Sequence, residues 1–236
     1  MQCLKFAGLV LAVAAVGGCG EDGGAGFTPT DEVQIRALHA VPGAPALEVL
    51  ITDARIADNL GYGQSTTYQT VSGGTQVLRV NSDFGGQNEE LLAVETPLTA
   101  GSAYTVVVAG GDAGIVPILL TDDRTAPPTG QAKLRLMHAA PTADAVDVYL
   151  TAPGADLTAA TPAFTGVSFG SASSYATVPA GPYQVRVTTA GTQEVLVDSG
   201  ALQLNEGEIR TAVAIESPAG GPPYGAVLLD DGGSPS

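Results

Sequence analysis

The 236-residue chain is acidic and sparsely charged, with 9 Lys and Arg against 24 Asp and Glu and a formal net charge of −15. Such a surface repels phosphate backbones and anionic headgroups, so nucleic acid is not expected as a partner. The 31 glycines, the 16 prolines and the absence of Trp favour an extracytoplasmic all-β protein over an enzyme with a deep polar cleft.

The first eighteen residues have the layout of an export signal. Lys5 precedes an uncharged, apolar run from Phe6 to Val16, and small residues follow it. A run of about eleven residues is too short to span a bilayer, because a spanning helix needs about 20 residues. We therefore expect residues 1–18 to be a cleaved signal peptide, which leaves a mature chain with a net charge of −16 once Lys5 is lost.

The end of that segment, VGGC, resembles the lipobox of bacterial lipoproteins, whose cysteine is lipidated and becomes the first mature residue. The resemblance implies that Cys19 carries acyl chains that anchor the protein to a membrane, outside the cytoplasm. Gly20, where an inner-membrane retention mark would have Asp, favours the outer membrane of the cell envelope. An ordinary secreted protein cut nearby is the alternative. Since Cys3 leaves with the signal, the folded part has no cysteine for a disulfide or a thiolate metal site.

After Cys19 the chain contains a tandem duplication. The phrase RALHAVPGAPALEV recurs as RLMHAAPTADAVDV, GYGQSTTYQTVSGGTQVLRV as SFGSASSYATVPAGPYQVRV, and ILLTDD as VLLDDG, in the same order. Blocks that recur in order indicate two copies of one structural unit. The predicted organisation is a flexible tether (19–31), repeat 1 (32–124), a hinge-like linker (125–130), repeat 2 (131–231) and a short tail (232–236).

Each repeat is predicted to be a β-sandwich. Short runs rich in Val, Ile, Thr and Tyr alternate with Gly, Pro, Asn and Asp turns about every 8–12 residues, and helical periodicity is missing. We expect seven or eight strands in each repeat, and therefore an all-β chain of two tandem immunoglobulin-like antiparallel β-sandwich domains after the signal peptide. The sequence leaves open whether the two domains pack together.

Both histidines of the chain occupy the same slot of the repeated phrase. Successive strand residues point to opposite faces, so His39 shares the core face with Val33 and Ile35, and His138 lies equivalently in repeat 2. A buried imidazole needs partners, which the carbonyls of the turn around Pro42 or Pro141 can supply. We expect a structural latch with no cofactor. The alternative is a metal-dependent protein or a hydrolytic enzyme that uses His39 and His138.

The same alternation places four charged residues outward. Arg36 and Arg135 lie opposite the histidine face, and Glu48 and Asp147 lie outward on the next strand, so an exposed cross-strand ion pair is expected in each repeat. Such a pair contributes no more than about 1 kcal/mol. The acidic pairs at 122–123 and 230–231 are expected to end the last strand of each repeat in solvent.

Two aromatic residues also recur, each followed by a glycine. Tyr62 and Phe169 precede Gly63 and Gly170, in a chain without Trp. The favoured interpretation is that these rings pack the sandwich. The alternative is that Tyr62 and Phe169 are exposed rings that contact a ligand such as a sugar or a peptide.

The HAxP phrase, the aromatic-Gly block and VPAGPYQVRV together resemble the bacterial family called domain of unknown function 4397, over nearly the whole mature chain as two copies. The resemblance implies an extracytoplasmic β-sandwich module and no assigned activity. We therefore expect a non-catalytic, membrane-anchored envelope lipoprotein with a structural role or a protein or glycan partner. Loops at one end of each sandwich are the expected contact sites. A fibre-forming or edge-pairing assembly protein is a further option.

Overall fold

The computed structural model describes residues 31–84, 87–111 and 114–232. The predicted signal peptide, the lipidation site Cys19, nearly all of the tether and the last four residues lie outside these ranges. No helix within these ranges has the length and the apolar character that a membrane crossing requires.

Eight strands form the first half of the molecule. They pair as an inner sheet in the order β4-β1-β7-β8 and an outer sheet in the order β3-β2-β5-β6. The strands are β1 Glu32–Ala40, β2 Leu47–Ile51, β3 Ala54–Leu60, β4 Gln69–Ser72, β5 Gly74–Phe84, β6 Gln87–Leu98, β7 Ala103–Gly111 and β8 Gly114–Asp122.

The second half repeats this plan strand for strand. Its inner sheet has the order β12-β9-β15-β16 and its outer sheet the order β11-β10-β13-β14. A 3₁₀ turn, Leu157–Ala159, lies between β10 and β11. The strands are β9 Gln131–His138, β10 Val146–Thr151, β11 Phe164–Val167, β12 Ala176–Pro179, β13 Gly181–Thr189, β14 Val195–Leu204, β15 Ile209–Ile215 and β16 Gly225–Asp230.

The predicted fold class, an all-β chain of two tandem sandwiches, is therefore confirmed, with one difference. In each inner sheet the first strand runs parallel to the seventh, β1 beside β7 and β9 beside β15, whereas the other pairs are antiparallel. The first strand of each repeat thus lies in the middle of its sheet, so that both of its faces can be covered.

Three apolar cores hold the described residues together. One lies between the sheets of the first half and one between the sheets of the second half. The third joins the two inner sheets across the two halves; its buried members are Leu38, Ala40, Val107, Ala109, Leu120, Met137, Ala139, Val213, Ile215 and Leu229. The molecule is therefore a stack of four sheets, outer-inner-inner-outer, and the two halves are in direct contact.

The inner strands are buried on both faces. The first eight residues of β7, AYTVVVAG, are all buried, and so are the last six of β1. Runs that are apolar at both parities suit strands covered from both sides. The face of β1 and β9 that the sequence predicts to be outward is therefore covered by the other half.

Candidate functional site

The imidazole of His39 is bound to the turn that follows it. The ring is fully buried at the end of β1, with Nε2 3.2 Å from the carbonyl oxygen of Pro45 and Nδ1 accepting a 3.1 Å hydrogen bond from the amide of Val41. Because Nδ1 accepts, the proton resides on Nε2, which donates to the carbonyl. Both ring nitrogens are thereby occupied.

His138 makes the same contacts in repeat 2. Its Nε2 lies 3.1 Å from the carbonyl oxygen of Asp144, and its Nδ1 accepts a 3.2 Å hydrogen bond from the amide of Ala140. Burial lowers the pKa of both histidines, against the opposing effect of the backbone carbonyls. Each ring is thus held neutral as a bridge between strand and turn, the kind of contact that strand alternation predicts.

The repeated aromatic rings pack against these histidines. Tyr62 meets His39 edge-on with ring centroids 5.7 Å apart, and Phe169 meets His138 in the same way at 6.4 Å. Both rings are half-buried against the core between the halves, and the Tyr62 hydroxyl donates to the carbonyl of Glu216 in the other half. The structure thus uses both rings in packing; ligand contact by Tyr62 or Phe169 stays a prediction.

The glycines after these rings are explained by their backbone conformation. Gly63 and Gly170 adopt φ of +72° and +79°, which disfavour other residues. A Cβ at Gly63 would also stand 3.8 Å from Cδ1 of Ile215, and one at Gly170 would stand 4.0 Å from Cδ1 of Ile118, in each case across the contact. These are ordinary van der Waals distances, so the positive φ of each turn, and not the space between the halves, accounts for the glycine.

The expectation that Arg36 and Arg135 face solvent is wrong. Arg36 binds Asp231 of the other half, and Arg135 binds Asp122, with both arginine side chains 4% exposed and both carboxylates fully buried. The predicted solvated strand ends are wrong at the same two aspartates. The reason is that the two inner sheets face each other. The side of β1 or β9 that points away from its own sandwich core is therefore covered by the other half.

Two threonines close these ion pairs into a ring. Arg36 Nε donates to Thr105 at 2.8 Å, and Thr105 donates to Asp122 at 2.7 Å. Arg135 Nε donates to Thr211 at 2.7 Å, and Thr211 donates to Asp231. These contacts and the two ion pairs form a closed cycle, which we call the arginine–aspartate ring; its members are Arg36, Thr105, Asp122, Arg135, Thr211 and Asp231.

Two tyrosines bind the aspartates of the arginine–aspartate ring. Tyr68 donates its hydroxyl to Asp122 at 2.7 Å, and Tyr175 donates to Asp231 at 2.6 Å. The guanidinium of Arg36 lies 4.5 Å from the centre of the Tyr68 ring, and that of Arg135 lies 4.6 Å from the Tyr175 ring. Burial, and then the adjacent carboxylate charge, raises the pKa of both tyrosines, so both stay neutral donors. Each buried charge is thus paired and hydrogen-bonded, as buried charges must be.

The predicted partners of the arginines lie elsewhere. Glu48 pairs with Arg55 at 2.8 Å, on the outer sheet. Asp147 is not exposed as predicted but is 6% exposed, and its two oxygens accept 2.8 Å hydrogen bonds from the amides of Gly166 and Gly191. It is a buried acceptor for two turns, so charge reversal at this position is now expected to destabilise the fold.

The sequence interpretation missed the threonines of the ring and the roles of the tyrosines and aspartates. A signal existed, because Arg, Tyr and Asp recur at equivalent positions of the two repeats. Recurrence alone did not reveal that each repeat supplies partners to the other.

A cleft of about 660 Å³ lies where the two HAxP turns meet. Gly43 and Pro42 border it from the first half, and Pro141, Thr142 and Glu216 border it from the second. The amide of Gly43 donates to the carbonyl of Pro218 at 2.9 Å, which fixes the two loops together. The cleft is thus formed jointly by both repeats.

Among the described residues that line this cleft, Glu216 is the charged one. It is buried, and its carboxylate accepts hydrogen bonds from the amide and hydroxyl of Thr142 at 2.8 and 2.6 Å and from the amide of Gly221 at 2.9 Å. Burial acts to raise its pKa, but these hydrogen bonds outweigh it and hold the pKa below the usual range. Glu216 therefore stays ionised and organises the loop after β15.

Within the described ranges, no three His, Cys, Asp or Glu side chains converge in a way that could hold a metal ion. The two histidines that the alternative hypothesis needs are each fully buried in their own repeat, with both ring nitrogens bound to the backbone.

The sequence model of the family described as "Domain of unknown function (DUF4397)" matches residues 33–149 and 150–236. The boundary between these matches falls inside β10, whereas the sheets divide between β8 and β9. We take the strand pairing as the division between the repeats, because each sandwich is complete only on that division. No curated protein matches the chain.

Similar solved structures are distant. A leucine-rich repeat protein from Bacteroides thetaiotaomicron is 17% identical, with 79% of this chain and 26% of that one covered and a TM-score of 0.22. CBMbc (family CBM26) from Eubacterium rectale Amy13K, solved with maltoheptaose, is 9% identical, with coverage of 87% and 98% and a TM-score of 0.26. The Bacillus anthracis TIE protein is 10% identical, with coverage of 83% and 34% and a TM-score of 0.24. The chain thus spans only about a quarter of the first of these proteins, and likenesses this weak carry no functional argument.

Proposed function

The chain belongs to the DUF4397 family, and from that premise we propose that it is a non-catalytic lipoprotein, anchored through Cys19 in the cell envelope. Its two repeats act as one rigid unit that presents a joint cleft to a protein or glycan partner. The anchor holds the protein outside the cytoplasm, with the outer membrane favoured.

The observation that carries this proposal is the state of the histidines. His39 and His138 each have both ring nitrogens bound to the backbone and are held neutral by burial. A general base or a metal ligand needs a free nitrogen that faces a substrate or an ion. The duplicated histidine therefore supports a scaffold role for the phrase that defines both repeats.

The position of the cleft supports a binding role. β1 starts next to the tether and ends at the first HAxP turn, and β9 ends at the second. A nine-residue strand spans roughly 27 Å, so the cleft lies at the opposite end of β1 from Glu32, the first residue of that strand. Loops on a rigid scaffold are the usual place for recognition, and here loops of both repeats meet.

The anchor is tested by replacing Cys19. Native cells labelled with a clickable palmitate analogue should yield a labelled protein in the membrane fraction. Cys19→Ser should remove the label and release the protein from the membrane. Equal membrane retention of the unlabelled variant would contradict the anchor.

The cleft is tested by site-specific photocrosslinking in intact cells. A photoreactive residue at Ala219, which is exposed and borders the cleft, should capture one envelope component. The same residue at Ala201, which is exposed on β14 of the outer sheet, is the matched control. Capture that is equal at both sites would contradict a partner in the cleft, and digestion of the adduct with protease or glycosidase distinguishes protein from glycan.

The metal-dependent or enzymatic alternative is tested on purified protein. We expect elemental analysis to find no stoichiometric metal in the native chain. Bound metal that disappears in the His39→Gln/His138→Gln variant would overturn the non-catalytic proposal.

A further inference from the structure

The two halves meet through the same face of the same sheet. Arg36 contacts Asp231 as Arg135 contacts Asp122. The Nη1 atoms follow the same rule, since Arg36 donates to the carbonyl of Asp230 at 2.7 Å and Arg135 donates to the carbonyl of Thr121 at 2.9 Å. Positions 121 and 230 are equivalent in the two repeats. Each half therefore donates the same hydrogen bond that it accepts from the other half. Reciprocal contacts of this kind define an isologous interface.

The apolar part of the contact is equivalent as well. Strand register pairs the buried residues of the two inner faces position by position. The equivalent pairs of similar size in the shared core are Leu38 and Met137, Ala40 and Ala139, Val107 and Val213, Ile118 and Val227, and Leu120 and Leu229. Ala109 and Ile215 are also equivalent members of this core, and they differ in volume. Swaps such as Leu to Met or Ile to Val change volume little and are tolerated best in a packed core. Apart from the Ala109 and Ile215 pair, the two faces therefore have nearly the same shape.

Each inner face carries both members of an ion pair, one arginine and one aspartate. In repeat 1, Arg36 and Asp122 lie on the same face and are bridged by Thr105. A second copy of repeat 1 would present its Asp122 where repeat 2 now presents Asp231. The face is therefore complementary to itself in charge and in hydrogen-bond donors and acceptors, and its apolar residues match in size outside the Ala109 and Ile215 pair.

We propose that the inner face of each repeat is a self-recognition surface whose partner is a second copy of the same repeat. In the native chain the covalently attached repeat occupies this surface and the molecule is a closed pseudo-dimer. Contacts beside the linker favour that closure: Arg124 donates to the carbonyls of Asp231 and Gly232, and Lys133 binds Asp123 at 2.7 Å. When the attached repeat is made incompatible, two chains pair through like repeats. This inference goes beyond the proposed function and requires neither the lipid anchor nor a partner.

The test exchanges the charges of one repeat in the full mature chain. In the variant Arg36→Asp/Asp122→Arg, the new carboxylate at position 36 faces Asp231 and the new guanidinium at position 122 faces Arg135, so both contacts within one chain are repulsive. Between two chains, repeat 1 still complements repeat 1 and repeat 2 still complements repeat 2. We expect the mass measured by light scattering to double, with strand content by circular dichroism unchanged.

The matched control exchanges both repeats, in the variant Arg36→Asp/Asp122→Arg/Arg135→Asp/Asp231→Arg. Charge complementarity within one chain is restored, so this variant should have the mass of the native chain. A double variant that is monomeric, or that unfolds while the fourfold variant folds, would overturn the proposal.

A second variant decides the matter if neither charge-exchanged chain folds. Residues 131–232 replace residues 32–124, which gives a tandem of two copies of repeat 2 with native charges. Self-complementarity predicts a monomer that melts in one cooperative transition. Failure of this chain to fold, or two halves that melt without pairing, would contradict the inference.

Discussion

In the inner and the outer sheets alike, successive side chains of a strand point to opposite faces of the sheet. What covers those faces differs between the two kinds of sheet. An outer strand such as β2 has buried residues on one face and partly exposed residues on the other, whereas β7 and β9 are buried on both. The outer ion pair of Arg55 and Glu48 is partly open to solvent, whereas Arg36 and Asp231 are enclosed. The comparison teaches that alternation assigns a side chain to a face but does not say what covers that face.

The largest expected effect comes from removing one arginine of the ring. Arg36→Ala leaves Asp231 buried without its cation, which should lower the free energy of unfolding by about 3–5 kcal/mol. Arg55→Ala on the outer sheet should lower it by no more than about 1 kcal/mol. Urea denaturation of both variants measures the difference. Similar losses for the two variants would show that the inner pair is not enclosed.

Removal of a latch should have the next largest effect. His39→Ala leaves a cavity in the core and frees the amide of Val41 and the carbonyl of Pro45, at a cost of about 2–4 kcal/mol. Gln193→Ala deletes an exposed side chain that also bonds a backbone carbonyl, at less than about 1 kcal/mol. Chemical denaturation compares the two, and equal midpoints would contradict a structural role for the histidine.

A smaller effect is expected from the buried carboxylate of an outer sheet. Asp147→Ala leaves the amides of Gly166 and Gly191 without an acceptor, which should cost about 1–3 kcal/mol. Asp58→Ala, which removes an exposed carboxylate of the outer sheet of repeat 1, should cost no more than about 1 kcal/mol, because its ion pair with Arg55 is open to solvent. Thermal melting of both variants checks the order, and a lower melting temperature for Asp58→Ala than for Asp147→Ala would contradict it.

The smallest effect is a pH dependence. Burial holds the folded-state pKa of His39 and His138 below the unfolded value of about 6.5. The unfolded chain therefore binds more protons, and stability falls as the pH is lowered from about 6.5 toward the folded-state pKa. The slope is at most about 1.4 kcal/mol per pH unit for each histidine. The His39→Gln/His138→Gln variant should lose this slope in urea titrations between about pH 7 and 5; an unchanged slope would assign it to other groups.

The tandem β-sandwich could be predicted because its signals are local or repeated: turn residues at regular spacing and aligned blocks. The burial of His39 and His138 could be predicted for a similar reason, since the period of a strand fixes which side chains share a face. These properties depend on short stretches of chain and on comparison of one repeat with the other.

The environment of Arg36 could not be predicted in the same way. Its partner Asp231 is 195 residues away in the other repeat, and a charged residue opposite the core face normally faces water. One available signal was overlooked, namely that β7 and β15 are apolar at both parities, which indicates strands covered on two sides. The exposure of Asp147 was predicted wrongly because its partners are backbone amides of glycines in two turns. A pattern of side chains does not reveal where backbone amides point.

The central claim, that the two repeats form one unit through the arginine–aspartate ring and the shared core, is tested most directly by calorimetry of the mature chain with Cys19→Ser. We predict a single transition whose van't Hoff enthalpy equals the calorimetric enthalpy of the whole chain. Two resolved transitions, or a van't Hoff enthalpy near half of the calorimetric value, would mean that the repeats unfold independently and would contradict the claim.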